Sequence, residues 1–406
     1  MQQIKFETKK IMCNKLFLIS TAILIGYYIF MIISGIPMYA SSPKGNAKFF
    51  AQAPESPTSQ YIYELEQEQN DMFEFVFIPN DPPYPPGEYG STLMEDYNII
   101  SNYTEQVRYS QSTFDRDMTL MVEKLYDEMK NAKSSGNNYI YRYNEKAISI
   151  YNNKIDIPII DSKNAKGSFE IFHHSRESTI FSTLLIMWSA FISAFCYTSE
   201  STYKISNNIH STPNGRIKLL LNKTAALTII IFIMCFAAFI VEFLVSVFAF
   251  KVTDLFVPIQ ATPHFQFSGF RLNILTTMIL TNFMRFIALI FVVGIVSVLS
   301  IKARSLIRPM ILSFIFFAGA SYMLMVIISI HELKAVNIFS VVRMYFPLAL
   351  TQPNDYLTKF DYGNLFSFPA NRLTVSIGVF LISFSLCIWI SSKFYGGGRL
   401  RWKKEK

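Results

Sequence analysis

Two charged residues stand inside otherwise apolar runs, Glu242 and Arg285. A charge costs free energy in hydrocarbon, so such residues face a bundle interior or a water-filled space and find a partner. Each lies at a calculable depth: about 12 Å below one end of its run for Glu242 and about 18 Å for Arg285, at 1.5 Å per helical residue. A long arginine side chain spans that offset if the two runs are antiparallel neighbours. Two roles then stand side by side, a polar lining of a translocation route and a buried ion pair that fixes helix packing. A second group of chemically able residues lies in the polar stretch CYTSESTYKISNNIHSTPNGRIKLLLNK, Cys196 to Lys223. It carries Glu200 directly after an apolar run, Thr202, a Ser-Thr-Pro turn at Ser211, Thr212 and Pro213, then Arg216, Lys218 and Lys223. Glu200 offers a carboxylate to a cationic partner, and the basic residues suit acidic side chains or lipid phosphates. Lys223, at the closing edge of the stretch, fits a simple headgroup anchor.

Other constellations are weaker. His173 and His174 sit near the start of an apolar run without further ligands in view, and the carboxylates of ELEQEQNDMFE (64–74) read as a solvated face. The chain has no GxxxxGK[ST], HExxH, GxSxG or CxxC pattern, so no phosphate loop, zinc protease helix, nucleophile elbow or redox pair is expected. The expectation is a chain without catalytic residues, metal or cofactor of its own.

The elements that must hold these residues are membrane spans. Half of the chain is hydrophobic (51%) and its mean hydropathy is +0.28, which fits a polytopic protein better than a soluble one. Continuous apolar runs at 15–38, 179–197, 224–250, 273–300, 310–330 and 372–392 approach or exceed the roughly 20 residues that cross a bilayer. They do not alternate, which argues against a β-barrel. The expected fold class is an all-α polytopic membrane protein, with six transmembrane helices and an α+β extracellular domain between the first and second.

The net charge of +8 follows the same frame. Segments 1–15, 198–223, 301–309 and 393–406 together hold 17 Lys/Arg against 3 Asp/Glu, whereas 38–178 holds 13 against 21. Basic flanks stay in the cytoplasm, so the charge marks topology and no nucleic-acid partner is expected. Both termini come out inside: residues 1–14 as a basic segment suited to the inner membrane surface or to setting orientation, and 395–406 as a basic tail. None of the four cysteines falls in 39–178, so the outside domain contains no disulfide. Within it, NDPPYPPGEYG is loop because proline interrupts helix and sheet ladders. Residues 112–133 repeat apolar positions at three- and four-residue steps and predict a helix with Ser112 as N-cap, Asp115 in its first turn and Gly136 as a stop. Residues 138–160, rich in Ile and Tyr with partial alternation, predict one or two strands. The segment 331–371 falls outside, and its Pro-broken FSVVRMYFPLALTQP predicts a re-entrant or interfacial hairpin.

With this layout, residues Glu200, Thr202, Thr212, Pro213, Arg216 and Lys223 resemble the intracellular loop of ABC type-2 exporter permeases. Ser201 stands where that family usually has Gly. The unit 179–394, with its coupling loop at 198–223 and outer hairpin at 331–371, is similar to the family's arrangement. The resemblance implies a permease that pairs with a separate ABC ATP-binding subunit, which binds the ATP and Mg, and with a second permease copy. It implies coupling roles for Glu200, Thr202, Pro213, Arg216 and Lys218, a bacterial cell membrane location, and export of a hydrophobic or amphipathic cargo such as a peptide or lipid. The alternative is a membrane sensor or scaffold whose outside domain binds a ligand; a membrane-embedded enzyme has no constellation to support it.

Overall fold

The computed structural model describes residues 2–30, 111–152, 179–202, 215–248, 267–300, 306–319 and 368–396 continuously, with parts of 255–265, 345–357 and 362–365 and a few isolated residues. The described chain is mainly helical, and four of its helices are long and apolar enough to cross a membrane, or five if the bent pair at the N-terminus forms one span.

That pair comprises α1 (Gln2–Met12) and α2 (Lys15–Phe30), which meet at 67°. Asn14 makes the corner: its side-chain oxygen accepts from the Leu16 amide at 2.8 Å, as a helix-capping asparagine does. One face of α1 is buried through Ile11 and Glu7, while Phe6 and Met12 remain exposed. Helix α1 is turned well away from the direction of α2.

The bundle itself contains α5 (Thr179–Thr202), α6 (Gly215–Phe248), α7 (Ile274–Ser300), α8 (Ile307–Phe314) and α11 (Arg372–Gly396). Helix α8 continues into a π-helical turn at Ile315–Gly319. Helices α5 and α7 are the inner posts, with 78% and 72% of their most apolar windows buried, against 28% for α6 and 22% for α11, which turn broad apolar faces outward; α7 is the one with the most helix neighbours. It packs on α5, α6, α8 and α11. Small residues let the backbones close up, as they must where lipid tails offer no hydrophobic drive to associate. Gly294 lies so close to α11 that a Cβ there would stand 3.0 Å from the Phe384 ring and 3.3 Å from its Cα. Hydroxyls add polar ties. Ser297 shares a 2.8 Å hydrogen bond with Ser391 of α11, and Ser189 of α5 donates to the Leu289 carbonyl at 3.3 Å. Trp188 of α5 donates its indole N–H to Thr21 of α2 at 3.1 Å.

The polar stretch between α5 and α6 is shorter than its composition indicates. Helix α5 runs on to Thr202 and α6 begins at Gly215, so Arg216 to Lys223 form the first turns of a helix.

At the opposite end of the bundle, α3 (Gln111–Ser134) and α4 (Asn138–Asn152) form an antiparallel helical hairpin. Gly136 turns the chain with φ +71°, a conformation that needs no Cβ. The expected helix at 112–133 is present. The strands expected at 138–160 are corrected for residues 138–152, which are helical. The buried positions of α4 are Asn144, Ala147, Ile148 and Tyr151, a three- and four-residue spacing that meets Met118, Val122 and Leu125 of α3. Packing against α3 therefore overrides the strand preference of the Ile/Tyr run.

The segment before α11 contributes the short helices α9 (Pro347–Thr351) and α10 (Asn354–Leu357) and a two-stranded hairpin, β1 (Tyr362–Leu365) with β2 (Phe368–Asn371). The strands are antiparallel, with Tyr362 opposite Asn371 and Leu365 opposite Phe368. Helix α9 is buried throughout and packs on α7 and α5. The apolar segment PLALT is thus sunk in the protein interior. The helical hairpin leans on β1–β2: Tyr139 donates to the Tyr362 carbonyl at 3.2 Å, Lys146 donates to the Pro369 carbonyl at 3.3 Å, and Arg142 lies 4.6 Å over the Phe368 ring.

Candidate functional site

Sequence reasoning singled out two places, and the structure describes them unequally. In the stretch between α5 and α6, Glu200 and Thr202 lie on the last turn of α5, while Arg216 and Lys218 lie on the first turn of α6. Lys218 is exposed. Thr212, Pro213 and the rest of 203–214 lie outside the described residues, as do His173, His174 and the tail from 397.

The helices that flank this stretch are braced together. Lys223 is 2% exposed and donates to the Cys196 carbonyl at 2.7 Å. Cys196 lies in the C-terminal part of α5, and the ammonium adds a charge-assisted bond to its carbonyl. Lys223 therefore does not reach out as a headgroup anchor; it ties the base of α6 to the base of α5. One residue on, Thr224 shares a 2.8 Å hydrogen bond with Tyr197. Helix α1 closes the same end, with Asn222 donating to Gln3 at 2.8 Å. Four features thus meet at one end of the bundle: the end of α5, the start of α6, helix α1, and exposed basic side chains such as Lys218.

The second place is the intramembrane pair, and here the geometry is complete. Arg285 Nη1 donates to Glu242 Oε1 at 2.7 Å, and the side chains are 2% and 3% exposed. The pair joins α6 to α7. Sequence reasoning missed a third member, Asn282, whose side-chain N–H group donates to Glu242 Oε2 at 3.0 Å and to the Met278 carbonyl at 3.0 Å. Asn282 is 6% exposed. Its signal was its spacing: it stands three residues before Arg285, hence on the same face of α7. The Arg285 guanidinium carbon lies 5.7 Å from the Phe181 ring centre of α5, in cation–π range.

A charge pair held this way is neutral as a unit and carries its own hydrogen bonds, which is how ionised groups persist in an apolar interior. Among the described residues no group of three or more His, Cys, Asp or Glu side chains is placed to hold a metal ion.

No family model, no curated protein and no solved structure matches the chain. The resemblance to exporter permeases accordingly stands on the quoted residues and their setting alone.

Proposed function

We propose that this chain is the membrane subunit of an ATP-driven exporter of the type-2 permease kind. On this reading both termini are cytoplasmic in a bacterial cell membrane, and a separate ATP-binding subunit and a second permease copy complete the transporter. The observation that carries it is the braced end of the bundle. A polar segment flanked by Glu200 and Arg216 leaves two helices that are locked to each other by Lys223 on the Cys196 carbonyl and by Tyr197 on Thr224. A segment held on such a base transmits a push instead of absorbing it. Helix α1, bonded to the same base through Gln3 and Asn222, extends the surface along the interface. The cargo class that fits a bundle of this composition is hydrophobic or amphipathic, a peptide or a lipid-like molecule. Glu200, Thr202, Pro213, Arg216 and Lys218 take the coupling roles.

The test is affinity purification of the tagged full-length chain from its own host. A P-loop ATPase is expected to accompany it in a ratio near one to one. The paired reversal Glu200→Arg and Arg216→Glu is expected to abolish that ATPase's stimulation by the permease while leaving the permease folded. Absence of any such ATPase sinks the proposal.

A sensor or scaffold is the second reading. It draws on the helical hairpin α3–α4, which is bonded to the β1–β2 hairpin that leads directly into α11. That reading requires activity in the absence of ATP hydrolysis.

A further inference from the structure

Beside the intramembrane pair lies a cavity of about 140 Å³ between α2, α5, α6 and α7. Leu24, Ile25, Ile29, Met234 and Val241 supply apolar walls, and Asn282 and Arg285 line it as well. Ile25, Ile29 and Val241 are 43%, 46% and 37% exposed, so the cavity opens sideways between α2 and α6 onto the face that hydrocarbon would cover.

The lining is almost wholly apolar, and Arg285 and Asn282 in it have unused hydrogen-bonding capacity. Arg285 spends Nη1 on Glu242, yet its Nε and Nη2 have no hydrogen-bond partner, and neither does Asn282 Oδ1. Arg285 and Asn282 are 2% and 6% exposed, and a buried donor or acceptor left without a partner is unfavourable. Nε and Nη2 form the side edge of the guanidinium, where two parallel N–H bonds engage a planar two-oxygen group. Glu242 already neutralises Arg285, so a further full negative charge in this apolar setting is unfavourable. A protonated carboxyl has the matching groups: two oxygens able to accept from Nε and Nη2, and a hydroxyl able to donate to Asn282 Oδ1, one turn away on the same helix.

We propose that this cavity binds the carboxyl end of a long-chain fatty acid, with the acyl chain leaving between α2 and α6. The site stands on the geometry of α2, α6 and α7 and is independent of whether the chain is a permease.

The test uses the full-length protein in phospholipid nanodiscs and a palmitic acid probe bearing a photoreactive diazirine on its chain. Labelling is expected on peptides of α2 and α6. Excess oleic acid should displace it at least about tenfold better than methyl oleate, which cannot donate to Asn282, since a lost hydrogen bond to such a group is worth about one decade in affinity. Ala238, a wall residue that takes no part in the ion pair, supplies the control for folding. Ala238→Leu fills the space and should cut labelling severalfold with an unchanged elution profile. Arg285→Lys keeps the charge, loses the fork and should cut it too. Equal displacement by the ester, full labelling of Ala238→Leu, or no labelling above that of an unrelated membrane protein would each overturn the proposal, the last leaving a cavity that holds water alone.

Discussion

Removing one member of the Glu242–Arg285 pair should destabilise the protein, and the two removals should not be equal. Glu242 accepts from Arg285 at 2.7 Å and from Asn282 at 3.0 Å, with both charged side chains almost wholly buried. Breaking a buried pair from one side costs about 3–5 kcal/mol, because the remaining charge is left uncompensated. In Glu242→Leu the survivor is a guanidinium, which has no neutral form to retreat to. That variant should lie at the upper end of the range. In Arg285→Met the survivor is a carboxyl that can take up a proton and still accept from Asn282, so the cost should be about half as large. The double variant Glu242→Leu with Arg285→Met removes both charges and leaves Asn282 bonded to the Met278 carbonyl. It should recover most of the loss, since apolar replacement of a whole buried pair is close to neutral. The assay is reversible unfolding of the purified protein in mixed micelles by added denaturing detergent, read by tryptophan fluorescence and analysed as a double-mutant cycle. A coupling energy below about 1 kcal/mol, or a larger loss for Arg285→Met than for Glu242→Leu, would refute the argument.

Two further variants probe the packing around α7. Gly294→Ala places a Cβ 3.0 Å from the Phe384 ring and 3.3 Å from its Cα, so it should force α7 and α11 apart and lower stability by about 1–3 kcal/mol, read as an earlier thermal midpoint in size-exclusion profiles. Trp188→Phe keeps the ring beside Phe17 but drops the hydrogen bond to Thr21. It should cost only about 0.6 kcal/mol, the usual worth of a hydrogen bond between membrane helices, and adding Thr21→Val should cost nothing more.

Several of the spans could be read from the sequence because the bilayer imposes a length and an apolar character that show in any window. The helix containing Glu242 and the helix containing Arg285 were legible for that reason, and the two charges were legible because nothing else in their runs is ionised. Asn282 was not, since an uncharged amide in a span raises no comparable cost and only its one-turn spacing from Arg285 marks it. Lys223 misled for a related reason. A lysine at the edge of an apolar run looks like an anchor, and its burial against the Cys196 carbonyl depends on how closely α5 and α6 approach. Helix α4 was misread because Tyr139, Tyr141 and Tyr143 alternate as strand residues do. The deciding contacts, Ala147, Ile148 and Tyr151 on α3, belong to a partner that local pattern does not reveal. The stretch Arg216 to Lys223 was grouped with the loop by its charges, although its Ile217, Leu219, Leu220 and Leu221 already carry a helical turn of α6.

Among the described residues, the helical hairpin α3–α4 meets the remainder of the molecule through Tyr139 and Lys146 on strand carbonyls, Arg142 over Phe368, and the buried Tyr151 on the Phe267 carbonyl at 3.0 Å. Its own core is small, centred on Met118, Val122, Leu125, Ala147, Ile148 and Tyr151. The membrane helices are joined instead by buried charge, hydroxyl ladders and close backbone approach. The two regions therefore belong to different rungs of local stability, and amide exchange in α4 should proceed by detachment from β1–β2 at a free energy well below that which opens α7.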